Sequence, residues 1–124
     1  MVVDDDEYLV MLVAELLETQ GYQVWTARDG LEGCSIYYQH PEAQTVLTDI
    51  DMPELDGFKM MRCIRAINPS ARAIYMSAAP QRYRRMLITE TQIFGASALR
   101  KPFQDIELLA LIASLQNKAR ARAA

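Results

Sequence analysis

Histidine and tryptophan each occur once in this chain and cysteine only twice. No apolar run approaches the ~20 residues that a membrane span requires. These shortages narrow the field. The lone His40 stands beside Pro41 at the end of a helical segment, away from the residues that close the strand-like segments. A Ser-His nucleophile is therefore a poor reading of Ser77. Cys34 and Cys63 both fall in segments read as helices, and they read as small buried hydrophobes in a reducing compartment rather than as a disulfide. The chain opens Met-Val-Val-Asp-Asp-Asp, with no leader pattern, so a cytoplasmic location is the expectation. No internal repeat, linker or second domain is visible.

What the chain does have is material for one compact α/β domain. Its 124 residues are 51% hydrophobic and 23% charged, enough to bury roughly two thirds of the unfolded surface without staples. The net charge of −3 conceals a division. Residues 1–62 carry 13 acids and 3 bases, whereas residues 63–124 carry 3 acids and 10 bases. Two oppositely charged surfaces are expected. Nucleic-acid binding is not, because no helix-turn-helix or interleaved aromatic-basic pattern occurs and the acidic half repels phosphates.

Strand and helix patterns alternate five times. Val2-Val3 opens a very short strand. In Glu7–Gln20, Leu9, Leu12, Val13, Leu16 and Leu17 form one apolar face, and Gly21 ends the helix. Tyr22–Thr26 alternates as a strand. A helix over Leu31–Gln39 stops at His40-Pro41. Thr45–Thr48 is the third strand, Asp51–Gly57 a loop and Phe58–Ile67 the third helix. Ala73–Met76, a helix over Gln81–Phe94, Ala98–Arg100 and a last helix from Gln104 to about Asn117 complete the order. Lys118–Ala124 reads as a basic, alanine-rich tail that extends the helix or frays. Repeated βα units with short connections predict a doubly wound parallel sheet covered on both faces.

The polar residues that close the apolar runs carry the chemistry. Asp4-Asp5-Asp6 follows the first strand, Asp49 follows Val46-Leu47-Thr48, Ser77 follows Ala73–Met76, and Lys101 follows Ala98-Leu99-Arg100. In an open parallel sheet these ends share one edge, where α/β folds bind ligands. Adjacent carboxylates repel by several kcal/mol at ~4 Å in a partly buried site. A hard divalent cation with oxygen ligands relieves this, and Mg²⁺ suits so few ligands. A solvated acidic loop capping the first helix is the alternative. Both hold together if Asp4 and Asp5 serve a metal and Asp6 the cap. An unpaired Asp49 at a buried strand end is costly, and Lys101 can pair with it or with a phosphoryl oxygen.

Val-Val-Asp4-Asp5-Asp6, Thr48-Asp49-Ile-Asp51-Met-Pro53-Glu-Leu-Asp56-Gly57, Met76-Ser77-Ala78 and Arg100-Lys101-Pro102-Phe103 resemble, in order and spacing, the receiver domain of bacterial two-component response regulators. The likeness spans residues 2 to about 117. It implies the flavodoxin-like fold with strand order 2-1-3-4-5, and a receiver domain over residues 1–117 followed by the tail at 118–124. Asp49 is the implied phosphoacceptor, taking the phosphoryl group from a sensor histidine kinase or histidine phosphotransfer protein with Mg²⁺ or Mn²⁺. Asp5 is the implied direct metal ligand, Asp4 a ligand largely through water, and Asp51 a ligand through its backbone carbonyl. Ser77 and Lys101 are implied to hold phosphoryl oxygens, and the Lys101-Pro102 bond to be cis. Such a domain phosphorylates and dephosphorylates itself without being a turnover enzyme. It signals through the face of the fourth helix, fifth strand and fifth helix to an unknown protein or a second copy.

The chain departs from that pattern in places. The first strand is short, and Gly95–Lys101 looks one residue short. The aromatic switch residue expected three positions before the lysine is Ala98, so switching falls to Ser77. Asp51 and Ala79 flank the path of hydrolytic water in the family, leaving phosphoryl lifetime open. Rival readings are a pseudo-receiver binding partners without phosphorylation and a haloacid-dehalogenase-type phosphatase using Asp49 and Asp51. The phosphatase family puts its Asp-x-Asp on the first strand, against the order here. A flavin-binding flavodoxin relative lacks support, since no Ser/Thr/Gly-rich loop follows the first strand.

Overall fold

A computed structural model describes the backbone of residues 1–123 and the side chains of residues 1–117. The five βα units are β1 (Val2–Val3), α1 (Glu7–Thr19), β2 (Thr26–Ala27), α2 (Gly30–Gln39), β3 (Thr45–Asp49), α3 (Gly57–Ile67), β4 (Arg72–Ser77), α4 (Arg84–Phe94), β5 (Ser97–Arg100) and α5 (Asp105–Ala123). A 3₁₀ turn, Pro80–Tyr83, precedes α4. Strand order is β2-β1-β3-β4-β5 and every pairing is parallel. This is the expected doubly wound sheet.

Alternating side chains divide the core between the two faces of the sheet. Val2, Leu47, Ile74, Met76 and Leu99 pack with Val13 and Leu17 of α1 and Leu108, Ile112 and Leu115 of α5. Val3, Val46, Ala73 and Tyr75 pack with Tyr37 of α2 and Phe58, Met60, Met61 and Ile64 of α3. Central strands covered on both sides read as unbroken apolar runs, as Ala73–Met76 does.

The expected second strand is the main correction. Tyr22–Trp25 lies outside the ladder, and only Thr26 and Ala27 pair, with Val2 and Val3. Two-residue β1 offers this edge strand only two partners, so alternation in Tyr22–Trp25 has no ladder to join. The fourth helix also starts differently. Pro80 stands at the start of the 3₁₀ turn, which has no side-chain cap, and α-helix follows only from Arg84. Gly95, at φ 68°, takes the left-handed conformation that ends α4. Cys34 is half-buried, but Cys63 is exposed on α3, contrary to the reading of both as buried. Burial, reinforced by the neighbouring Cys63 thiol, pushes the Cys34 thiol up to about 12.

Caps set the helix starts next to the site. The Asp6 carboxylate accepts the Tyr8 and Leu9 amides at α1, and Asp56 accepts Lys59 N–H at α3. The backbone of α5 continues into the basic tail, whose side chains from Lys118 lie outside the described residues. No described helix is long and apolar enough to cross a membrane.

Candidate functional site

Register brings the strand ends together. Val3 pairs with Thr48, Asp49 with Met76, and Ser77 with Arg100. Asp4, Asp49, Ser77 and Lys101 therefore fall within one residue of the same sheet edge. The Lys101 amide donates to the Ser77 carbonyl at 2.9 Å, which fixes the β5 exit against the end of β4. The Lys101-Pro102 bond is cis, as expected.

Asp4 is 1% exposed and well partnered. Its Oδ1 accepts the Asp6 amide at 3.0 Å, and its Oδ2 receives Lys101 Nζ at 2.6 Å. The same ammonium stands 3.5 Å from Asp49 Oδ1, which also accepts the Ile50 amide at 3.0 Å. Burial, then the Asp4 charge, push the Asp49 carboxyl up to about 6, with Lys101 opposing the shift. Burial pulls the Lys101 ammonium down, but Asp4 and Asp49 outweigh it and leave its pKa above the ordinary value.

Oxygens of Asp4, Asp5 and Asp49 lie within 4.8 Å of one another. Three carboxylates face one ammonium, and burial, followed by the Asp4 charge, raises the Asp49 pKa. An oxygen-only donor set of this charge fits a hard divalent cation such as Mg²⁺. Asp6 is spent on the α1 cap and stands outside the cluster.

Asp51 and Ser77 occupy the rim. The exposed Asp51 carboxylate is also outside the cluster, and it accepts a hydrogen bond from the Tyr83 hydroxyl. Ser77 is 7% exposed, and its Oγ accepts the Ala79 amide at 3.0 Å. Its hydroxyl proton remains available to donate. Ala98 lies exposed on β5, opposite Tyr75 in the register. His40 stacks on Trp25 with ring centroids 4.6 Å apart. Trp25 accepts the Val2 amide where β1 begins, at the sheet end opposite the carboxylates. The histidine therefore has no access to Ser77.

The family profile described as "Response regulator receiver domain" matches residues 1–113. The chain belongs to the response regulator receiver domain family. This receiver is 32% identical to the chemotaxis protein CheY of Bacillus subtilis over 113 residues, covering 90% of this chain and 92% of that protein. It is 33% identical to the transcriptional regulatory protein CpxR homolog of Haemophilus influenzae over 120 residues, covering 96% of this chain. The chain spans only half the length of that homolog. Among solved structures, a response regulator receiver domain protein from Clostridium thermocellum superposes with a TM-score of 0.85 at 28% identity. The overlap covers 97% of this chain and 94% of that one. CheY from a CheX-CheY-BeF3-Mg²⁺ complex of Borrelia burgdorferi gives 0.80 at 29% identity, over 92% and 85% of the two chains. A receiver is a signalling phosphoacceptor rather than a turnover enzyme.

Several residues that shape this receiver's site carry no separate signal in a linear reading. At Gly57, the first residue of α3, a Cβ would come 2.4 Å from the Asp49 carbonyl. Only glycine lets α3 start this close to the end of β3. Tyr83 reaches Asp51 from the 3₁₀ turn, with Phe58 6.1 Å away between centroids. Behind the site, Arg65 of α3 and Glu90 of α4 form a two-point ion pair at 2.8 and 3.2 Å, and the Tyr75 hydroxyl donates to Glu90. The one available clue to Glu90 was its rarity as an acid in the basic half of the chain.

Proposed function

We propose that Asp49 accepts a phosphoryl group from the phosphohistidine of a sensor kinase or histidine phosphotransfer protein, in a reaction that requires Mg²⁺ or Mn²⁺. The observation that carries this reading is the placement of Asp49 Oδ1 3.5 Å from Lys101 Nζ and within the Asp4–Asp5 carboxylate cluster. In the transfer an Asp49 oxygen attacks phosphorus while the phosphorus–nitrogen bond breaks, its electron pair remaining on the imidazole. Phosphoryl transfer of this kind depends on positioning and charge neutralisation. Lys101 pairs with one phosphoryl oxygen and the Ser77 hydroxyl donates to another.

Asp5, Asp49, the Asp51 carbonyl and, largely through water, Asp4 hold the metal. Both Asp4 oxygens already have protein partners, which supports the indirect role. Bound Mg²⁺ supplies positive charge against the transferring phosphoryl oxygens. The BeF3 and Mg²⁺ in the Borrelia burgdorferi CheY complex support beryllofluoride as a phosphoryl mimic for this site.

Output runs through the face of α4, β5 and α5 to a downstream protein or a second copy, in the cytoplasm, without contact to nucleic acid or membrane by this domain. The domain itself ends near residue 117, and 118–124 is a tail.

Incubation with acetyl phosphate and Mg²⁺ followed by intact-mass analysis tests the assignment. One phosphoryl addition is expected, absent after chelation and absent in Asp49→Asn. Full labelling of Asp49→Asn refutes it.

A further inference from the structure

The two cysteines have no part in phosphoryl transfer, yet the packing of α2 on α3 brings them together. The helices meet closely at Gly33, where a Cβ would stand 2.5 Å from the Sδ of Met60 on α3. Cys34 follows Gly33 on α2, and Cys63 comes one helical turn after Met60, on the same side of α3. Cys34 packs against the core cluster that contains Met60, and the Cys63 thiol lies beside its own. Both cysteines are free, Cys63 exposed and Cys34 half-buried. Burial, and then the Cys63 thiol, push the Cys34 thiol up to about 12. Cys34 therefore stays protonated at neutral pH, and the exposed Cys63 meets an oxidant first.

We propose that Cys34 and Cys63 are a redox modification site: peroxide converts them to a reversible disulfide that staples α2 to α3. The Cys63 sulfur attacks one oxygen of hydrogen peroxide, the oxygen–oxygen bond breaks, and the thiol proton leaves with the departing hydroxide as water. Cys63 is thereby oxidised to a sulfenic acid. The Cys34 sulfur then bonds to the Cys63 sulfur and the sulfur–oxygen bond breaks. The Cys34 proton leaves with that hydroxide as a second water. Two thiols are oxidised and one peroxide is reduced. The loop so closed, residues 34–63, contains β3, Asp49 and the start of α3. Closing it restricts the unfolded chain and raises stability.

The pair stands outside the carboxylate cluster, so the inference does not depend on Asp49 as phosphoacceptor. Native wild type, Cys34→Ser and Cys63→Ser are treated with hydrogen peroxide, quenched, denatured and alkylated with N-ethylmaleimide. Wild type should take up no maleimide, remain monomeric and yield a cross-linked Cys34–Cys63 peptide on non-reducing digestion. Dithiothreitol should restore both thiols. Cys34→Ser should stop at a Cys63 sulfenic acid that dimedone traps, and Cys63→Ser should keep its thiol over the same interval. Oxidised wild type should unfold several degrees above the reduced protein, a shift that neither serine variant shows. Full maleimide uptake after peroxide, a cross-link between two copies, or a disulfide that forms only in urea overturns the proposal. Faster oxidation of Cys63→Ser than of Cys34→Ser also overturns it, because the buried thiol would then react first.

Discussion

Tyr75 on β4 and Ala98 on β5 are register partners, and the bulk in that pair stands entirely on the β4 side. Tyr75 is 1% exposed, lies 4.8 Å from the Phe58 ring between centroids, and donates its hydroxyl to Glu90. Ala98 faces solvent. The ring missing from the fifth strand is thus present one strand over, two residues before Ser77. Alternation along β4 puts Tyr75 and Ser77 on the same face. Glu90 is the only buried residue of α4, so the helix's deepest anchor is a carboxylate, with Leu87 packed at the margin of the core.

That anchor should dominate local stability. Arg65 and Glu90 side chains are each 9% exposed. Removing one partner leaves a buried charge, so Glu90→Ala or Arg65→Ala should cost about 3–5 kcal/mol in urea unfolding. Arg65→Met combined with Glu90→Leu should cost far less than the sum of the two single substitutions.

Signal output should follow the same connection. Beryllofluoride with Mg²⁺ is expected to alter hydrogen exchange across Ser77–Arg85 more than across Ala98–Arg100. Ser77→Ala should abolish the change. A response confined to β5 would exclude the route through Ser77 and α4, and no response would favour a pseudo-receiver.

Metal-free stability should report the Asp49 carboxyl. Its pKa rises from 3.8 to about 6 on folding, so the folded state holds its proton more tightly than the unfolded chain does. The resulting stabilisation is complete below pH about 3.8 and is lost as pH rises through about 6. At pH 7 without metal, Asp49→Asn should therefore be more stable than wild type by about 1–2 kcal/mol, discounted for solvent screening. The difference should shrink between pH 6 and pH 4 and at saturating Mg²⁺. Thermal unfolding of both proteins across that range checks it.

The acid triplet should divide by role. Asp5→Ala removes one of three converging carboxylates and should weaken Mg²⁺ binding at least tenfold, roughly the loss of one charge at contact range. Asp6→Ala should leave affinity nearly unchanged and cost about 1 kcal/mol of stability as a lost helix cap. Calorimetric titration is the appropriate measurement, because Trp25 lies at the far end of the sheet and is a poor local reporter.

The order of elements, the parallel sheet and the shared edge of Asp4, Asp49, Ser77 and Lys101 were determined by the sequence itself. Short βα connections permit few topologies, and in a parallel sheet every strand ends on the same side. Asp6 as a cap was equally legible, since capping is a local interaction. The pairings of Arg65 with Glu90 and of Tyr83 with Asp51, 25 and 32 residues apart, were decided only by tertiary structure. Helical periodicity names a face but not its partner, and α4 has a charged residue where its buried stripe should be. The two-residue β2 was decided in the same way: alternation in Tyr22–Trp25 describes a capable strand, but a strand needs a neighbour, and β1 is only two residues long.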